Sequence, residues 1–146
     1  MRPGGPRRDR GNAALELVVL APVVLFLLGF VIAAGRTSIA QGSVDAAARD
    51  AARQASISRT PAAAQAAALA SARLALSQDG IDCVPVVTVN TGRGTTGFAV
   101  PVGLPAQVTA RVSCRVSLSD LLVPGMPGSR TLRASFTSPL DPFRAR

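Results

Sequence analysis

The sequence predicts an α+β protein on a membrane anchor: an N-terminal transmembrane helix that extends into an Ala-rich stalk helix, a second helix, and a small antiparallel sheet of three or four strands. Three observations predict this fold. Residues 17–34 are uncharged and mostly apolar, and good helix formers follow as far as residue 80. After Gly80 the apolar pattern changes to a period of two, which is typical of strands.

We divide the chain into five parts. These are a basic cytoplasmic leader (residues 1–11), the transmembrane helix (12–35), the stalk helix (36–59), the second helix (60–80) and an extracytoplasmic β-rich region (81–146). Residues 13–35 alone would span roughly 34 Å as an α-helix, enough to cross a hydrocarbon core of ~30 Å.

The distribution of arginine predicts the orientation of the helix in the membrane. Four Arg residues lie in the leader, whereas fewer follow the apolar run and two Asp partly offset them. Because cytoplasmic flanks are enriched in basic residues, we expect the N-terminus inside the cell and the C-terminus outside. The alternative is a cleaved secretory signal peptide, since small residues follow the apolar run at Ala33, Ala34 and Gly35.

The composition argues against an enzyme. The chain contains 16 basic residues, all of them Arg, with no Lys or His, and Glu16 is its only glutamate. Without an imidazole or an amine, acid/base catalysis near neutral pH and Schiff-base chemistry lack their usual groups. Two Cys and scattered Asp residues cannot close a zinc shell, so we expect no metal and no cofactor.

Glu16 is unusual because a carboxylate inside a membrane costs ~2.5–3.5 kcal/mol at the helix centre. One reading is that Glu16 lies at the interface, solvated or paired with Arg10 or Arg8. The other reading starts from its position, five residues after Gly11, which ends the basic leader. A carboxylate kept at this depth usually has a partner.

These residues resemble a known family. A basic leader, Gly11, Glu16, an apolar helix with an early proline at Pro22, and the later Ala48-Arg49 and Ala52-Arg53 pairs are similar to the TadE-like minor pilins, or pseudopilins, of the Tad/Flp type IV pilus. The resemblance covers about the first 55 residues well and the rest loosely. Leu17 departs from the major Tad pilins, which commonly place an aromatic residue after the glutamate.

The resemblance implies a function and roles for three residues. A prepilin peptidase would cut after Gly11, Asn12 would become the new N-terminus, and Glu16 would meet the N-terminal ammonium of a neighbouring subunit. The implied protein is a non-enzymatic subunit of an adhesion or secretion pilus in the cytoplasmic membrane. Its implied partners are other Tad pilus subunits, the inner-membrane assembly platform and the prepilin peptidase.

Two helices are predicted on either side of Thr60. Pro22 should kink the first helix near Val18, because proline lacks an N–H and clashes with the preceding turn. The small residues of the stalk (Ala47, Ala48, Ala51, Ala52 and Ala55) form either a core face or a surface for close packing in a filament.

Thr60-Pro61 predicts an N-cap and a first helical residue, with Leu69, Ala72 and Leu76 on one face.

Four segments are candidate strands. Residues 106–118 alternate apolar and polar side chains throughout, and residues 131–136 do so over a shorter span. Residues 83–89 and 98–102 are weaker candidates, since Pro85 and Pro101 favour sheet edges. The intervening loop, TGRGTTG, lacks the Gly-Lys-Ser/Thr of a phosphate-binding loop and is interpreted as a connection.

Cys83 and Cys114 form a possible disulfide, because both fall in predicted strands outside the cell. The alternative is two free, buried thiols.

Two other functions also remain open: a membrane-anchored or secreted ligand-binding domain outside any pilus, and nucleic-acid binding. The net charge of +8 favours nucleic-acid binding, but Arg111 and Arg115 are the only closely spaced basic pair on one strand face and the chain has no Tyr or Trp for base stacking. No nucleic-acid partner is therefore expected.

Overall fold

The protein is described from a computed structural model, which covers residues 10–90, 97–101, 103–117 and 128–141, with side chains from Leu15 onwards. Most of the leader (residues 1–9) and most of the Gly/Thr loop (residues 91–96) lie outside this description. The described part contains two helices followed by a three-stranded antiparallel sheet. The predicted α+β class is therefore confirmed.

Helix α1, Arg10–Ser56, is one continuous helix of 47 residues. At ~1.5 Å per residue it is roughly 70 Å long, so the predicted transmembrane and stalk helices form a single rod. The helix begins two residues before the predicted boundary and ends three residues earlier than expected. It continues through Pro22 without interruption, and the kink near Val18 stays a prediction.

Helix α2, Pro61–Gln78, begins as the sequence predicts. The Thr60 hydroxyl accepts a hydrogen bond from the Ala63 N–H at 3.2 Å, and Pro61 occupies the first turn, where no N–H is needed. The helix ends before Gly80, whose φ of 69° favours glycine. Leu69 lies at the margin of the buried face rather than at its centre, and the centre is formed by Ala64, Ala68, Ala72 and Leu76.

Alanine dominates the contact between the two helices. In α1 the stalk alanines are 0–1 % exposed, and in α2 Ala64, Ala68 and Ala72 are each 0 % exposed. Small side chains let two helix backbones approach closely. The stalk alanines are buried within the chain. Of the two interpretations, they therefore form a core face, and they are not available to pack against a neighbouring subunit.

The sheet contains β1 (Val86–Asn90), β2 (Ala106–Ser117) and β3 (Ser129–Leu140), with β2 in the centre. The alternation predicted for β2 is confirmed, since Val108, Ala110, Val112 and Cys114 are all buried. Their side chains point towards the helices, with α1 over β2 and β3 and α2 over β1. The opposite face of the sheet is turned away from both helices.

The strand boundaries differ from the prediction in three places. β1 starts only after Pro85, which lacks the N–H that a ladder needs. β3 is longer than residues 131–136, because it pairs with β2 over its full length, from Ser117↔Ser129 to Ala106↔Leu140. The strand predicted over residues 98–102 is wrong for its described part: residues 97–100 form a turn, and Phe98 packs on the core from there.

Gln65 binds the open edge of β1 with both ends of its side-chain amide. Its Nε2 donates to the Val87 carbonyl at 2.6 Å, and its Oε1 accepts from the Val89 N–H at 3.0 Å. The amide thus occupies the place that a further strand would take. An unpaired edge is prone to pair with other chains, so this contact also protects β1.

We expect Gln65→Ala to lower the free energy of unfolding by ~1–3 kcal/mol, since two backbone groups of β1 lose their partner. Gln54→Ala is the matched control, because Gln54 is an exposed helical glutamine in α1. Denaturant unfolding followed by circular dichroism measures the difference. Equal midpoints for the two variants would contradict the role of Gln65.

Candidate functional site

The first half of α1 exposes its apolar surface on all sides. Fourteen large apolar side chains from Leu15 to Ile32 are 46–71 % exposed: Leu15, Leu17, Val18, Val19, Leu20, Val23, Val24, Leu25, Phe26, Leu27, Leu28, Phe30, Val31 and Ile32. A core helix would be buried against the domain, whereas only 6 % of the most apolar stretch of this helix, 18 residues long, is buried. Length and composition allow this helix to cross a membrane.

Two charged residues bound this apolar surface. Glu16 lies near its N-terminal end and Arg36 at the other, with no charged residue between them. Twenty helical steps separate them, which is roughly 30 Å and matches the thickness of a hydrocarbon core. Glu16 is exposed on the helix surface. A single carboxylate is therefore presented at the head of the apolar segment of α1.

The predicted processing residues lie in the first turn of α1. Gly11 and Asn12 are both helical, and Asn12 precedes Glu16 by four residues, so the two fall on the same side of the helix. The side chains of Asn12 and Arg10 are outside the description, and Arg8 lies among the residues that are not described. The proposed pairing of Glu16 with Arg10 or Arg8 therefore stays a prediction.

The folded domain begins where the apolar surface ends. Phe30 and Ala34 of the apolar segment line the same groove as Arg130 and Leu132 of β3. On the other side of α1, Arg36 and Arg130 flank a half-open cavity of about 290 Å³, which Ile81 and Leu132 also line. The base of the sheet thus lies at the level where the helix would leave the membrane.

Gln41 fastens the domain to this helix, and sequence reasoning missed it. Its Nε2 donates to the Arg133 carbonyl of β3 at 3.0 Å and to Asp45 Oδ1 at 3.2 Å. Its partner in β3 is 92 residues away, so no local pattern marks this contact. A polar residue among the small residues of the stalk was the only available signal. As a result, α1 and the sheet are joined by packing and by this hydrogen bond.

Cys83 and Cys114 form a disulfide in the structure, with a Cα–Cα distance of 5.9 Å. Cys114 is buried on the inner face of β2, whereas Cys83 precedes β1 and is not itself in a strand. The bond therefore joins the segment that leaves α2 to the central strand. The prediction that both cysteines lie in strands is wrong for Cys83, because Pro85 delays the start of β1.

The comparisons with known proteins agree with the geometry of α1. Residues 11–53 match the model of a family described as TadE-like protein. This stretch begins at Gly11 and covers nearly all of α1. Neither the curated proteins nor the solved structures include a match. The match confirms the resemblance seen in the sequence and supports a protein associated with the Tad pilus and the membrane.

Proposed function

We propose that this chain, whose residues 11–53 match the TadE-like family, is a non-enzymatic minor pilin of a Tad-type pilus that assembles through its N-terminal helix. The pilus would serve in adhesion or secretion. The observation that carries this proposal is the exposed apolar surface of α1, which bears a single carboxylate at its head, on a helix that continues without interruption into the folded domain.

The exposed helix is suited to exchange one apolar environment for another. In the membrane, lipid covers its side chains, and in a fibre the helices of neighbouring subunits would cover them. Because lipid is as apolar as leucine, burial itself distinguishes little between the two states, and packing and polar contacts decide the association. Glu16 supplies the polar contact on an otherwise apolar surface.

The proposed pair is formed between two subunits. Cleavage of the peptide bond between Gly11 and Asn12 by a prepilin peptidase creates an ammonium group at Asn12. The carboxylate of Glu16 in a neighbouring subunit then accepts hydrogen bonds from that ammonium. In a low-dielectric bundle each charge compensates the other, and the pair fixes the register between apolar helices.

The proposed location follows from the same helix. Before assembly the chain is a single-pass protein of the cytoplasmic membrane, with its leader in the cytoplasm and its sheet outside. The peptidase must therefore act at the cytoplasmic face, and the assembly platform must contact the helix within the membrane. The groove that Phe30 shares with Arg130 supports a domain lying directly on the outer surface.

Processing is the first test of this function. In a host that supplies the cognate prepilin peptidase, we expect the intact mass of the purified chain to correspond to loss of residues 1–11. Gly11→Val should block the cut, because a branched side chain would occupy the site of cleavage. Gly35→Ala is the matched control, since a Cβ at Gly35 meets nothing within 4 Å.

Two results would contradict the proposal in different ways. Retention of the full leader beside an active peptidase would remove the source of the ammonium. A chain that begins near Ala34 and accumulates in the culture supernatant would instead identify the apolar segment as a secretory signal. That second result would favour a secreted ligand-binding domain over a pilin.

A further inference from the structure

The outer face of the sheet carries an arginine cluster that the sequence pattern only partly reveals. Arg111 and Arg115 point outward from β2, and the strand register places Arg133 of β3 opposite Ser113, midway between them. All three side chains are exposed. The basic pair predicted on β2 is therefore a cluster of three, because pairing with β3 adds a residue that is distant in sequence.

Hydroxyl groups surround this cluster. On the same face β2 contributes Thr109 and Ser113, β3 contributes Thr131, Ser135 and Thr137, and β1 contributes Thr88. The Oγ1 atoms of Thr109 and Thr137 lie 2.8 Å apart, and the Arg115 guanidinium donates to the Ser129 Oγ at 3.0 and 2.8 Å. β1, β2 and β3 contain no Asp or Glu, so no carboxylate of the sheet neutralises the cluster.

A shallow groove crosses this face. It has a volume of about 370 Å³ and is lined by Val86, Thr88, Arg111, Ser113, Arg133 and Ser135. Two of the three arginines and three hydroxyls thus border one depression. Arg111 and Arg115 are about 13 Å apart along β2, so a ligand that met all three arginines would be an extended chain rather than a small ion.

We propose that the outer sheet face binds an acidic polysaccharide, with Arg111, Arg115 and Arg133 paired to its carboxylates and the surrounding hydroxyls bonded to its sugars. Guanidinium groups bind carboxylates through two parallel hydrogen bonds. The face has no aromatic side chain in β1–β3, because Phe136 belongs to the inner face. A single-stranded nucleic acid would therefore find no stacking platform here.

This surface is independent of the proposed assembly surface. The helices cover the inner face, so a fibre built through α1 would leave the outer face open. Binding can also be measured without any assembly, on the full chain in detergent micelles or in neutral lipid nanodiscs. The probe is alginate, a linear polyuronate, with neutral dextran as the control polymer and duplex DNA as the competing polyanion.

We expect the full chain to bind alginate but not dextran, and the triple variant R111Q/R115Q/R133Q to bind alginate about tenfold or more weakly, since each charge-assisted bond lost weakens binding several-fold. The matched control is R49Q/R53Q/R59Q, which removes the same charge from exposed positions off the sheet. Ser135→Asp is a second variant. It places a carboxylate opposite Arg111 and should weaken binding even if the triple variant folds poorly.

Three outcomes would overturn the proposal. One is equal weakening by the sheet variant and its control, which would mean attraction to net charge alone. Another is no binding of alginate by the full chain. The third is tighter binding to duplex DNA than to alginate with the same dependence on the three arginines, which would assign the face to nucleic acid instead.

Discussion

A Glu16→Ala chain is expected to enter the membrane as well as the wild type and to be lost from the assembled pilus. Removing a carboxylate makes insertion of α1 easier, so failed insertion cannot explain the loss. In the assembly, however, the ammonium of a neighbouring subunit would stay buried without its partner. Breaking a buried pair costs ~3–5 kcal/mol, which lowers incorporation about a hundredfold or more.

The measurement compares the amount of subunit in sheared surface fibres, or co-purified with the assembly platform, with the amount in the membrane. Asp50→Asn is the matched control, because Asp50 is an exposed carboxylate on the same helix beyond the membrane segment. Glu16→Asp keeps the charge on a shorter side chain and should retain part of the assembly. Normal incorporation of the alanine variant would refute the role of Glu16.

Co-expression separates pairing between subunits from pairing within one chain. A Glu16→Ala subunit still offers its own ammonium, so a wild-type neighbour can bind it. If the pair lies between subunits, tagged Glu16→Ala chains should enter the assembly in part when wild-type chains are present. Absence of any rescue would show instead that Glu16 acts on the N-terminus of its own helix, one turn away.

Much of the fold could be predicted because local chemistry determines it. The charge-free run of residues 17–34 favours a helix long and apolar enough to cross a membrane, and Thr60-Pro61 provides an N-cap and a first helical residue. The alternation along β2 follows from the geometry of any half-buried strand. Glu16 could be proposed as the assembly residue for a similar reason, since one carboxylate at the head of an apolar segment needs an explanation.

The remaining features depend on contacts between distant residues. β3 extends beyond residues 131–136 only because β2 provides pairing partners as far as Ala106. Pro139 is tolerated in β3 because β3 is an edge strand. The strand predicted over residues 98–102 begins at Phe98, but this side chain packs on the core from a turn. The hydrogen bonds of Gln65 and Gln41 to the two edge strands join residues far apart in sequence, so no local pattern specifies their partners. The same applies to Arg133, which joins Arg111 and Arg115 only through the register.

Loss of the disulfide is expected to lower the free energy of unfolding by ~3–4 kcal/mol on the chain-entropy model. Cys83 and Cys114 are 31 residues apart in sequence, and the bond restricts the unfolded chain over this whole span, which includes β1 and most of β2. Among the residues that the structure describes, the sheet has three strands, and alanine forms much of the core. Such a domain buries little apolar area per residue, so this contribution is large relative to its total stability.

The contribution of the cross-link to stability is distinguished from that of the cysteine side chains by comparing the oxidised and reduced forms of the same chain. In the oxidised form, neither cysteine should react with an alkylating agent under denaturing conditions unless a reductant is added. The reduced form should unfold at lower denaturant, and C83S/C114A should behave like it, with alanine at position 114 because Cys114 is buried. Two thiols that alkylate without reductant would favour free buried cysteines. Equal stability of the oxidised and reduced forms would contradict the contribution assigned to the cross-link. The domain would then have to be held by its Ala-rich helix contact and by the glutamine bonds to β1 and β3.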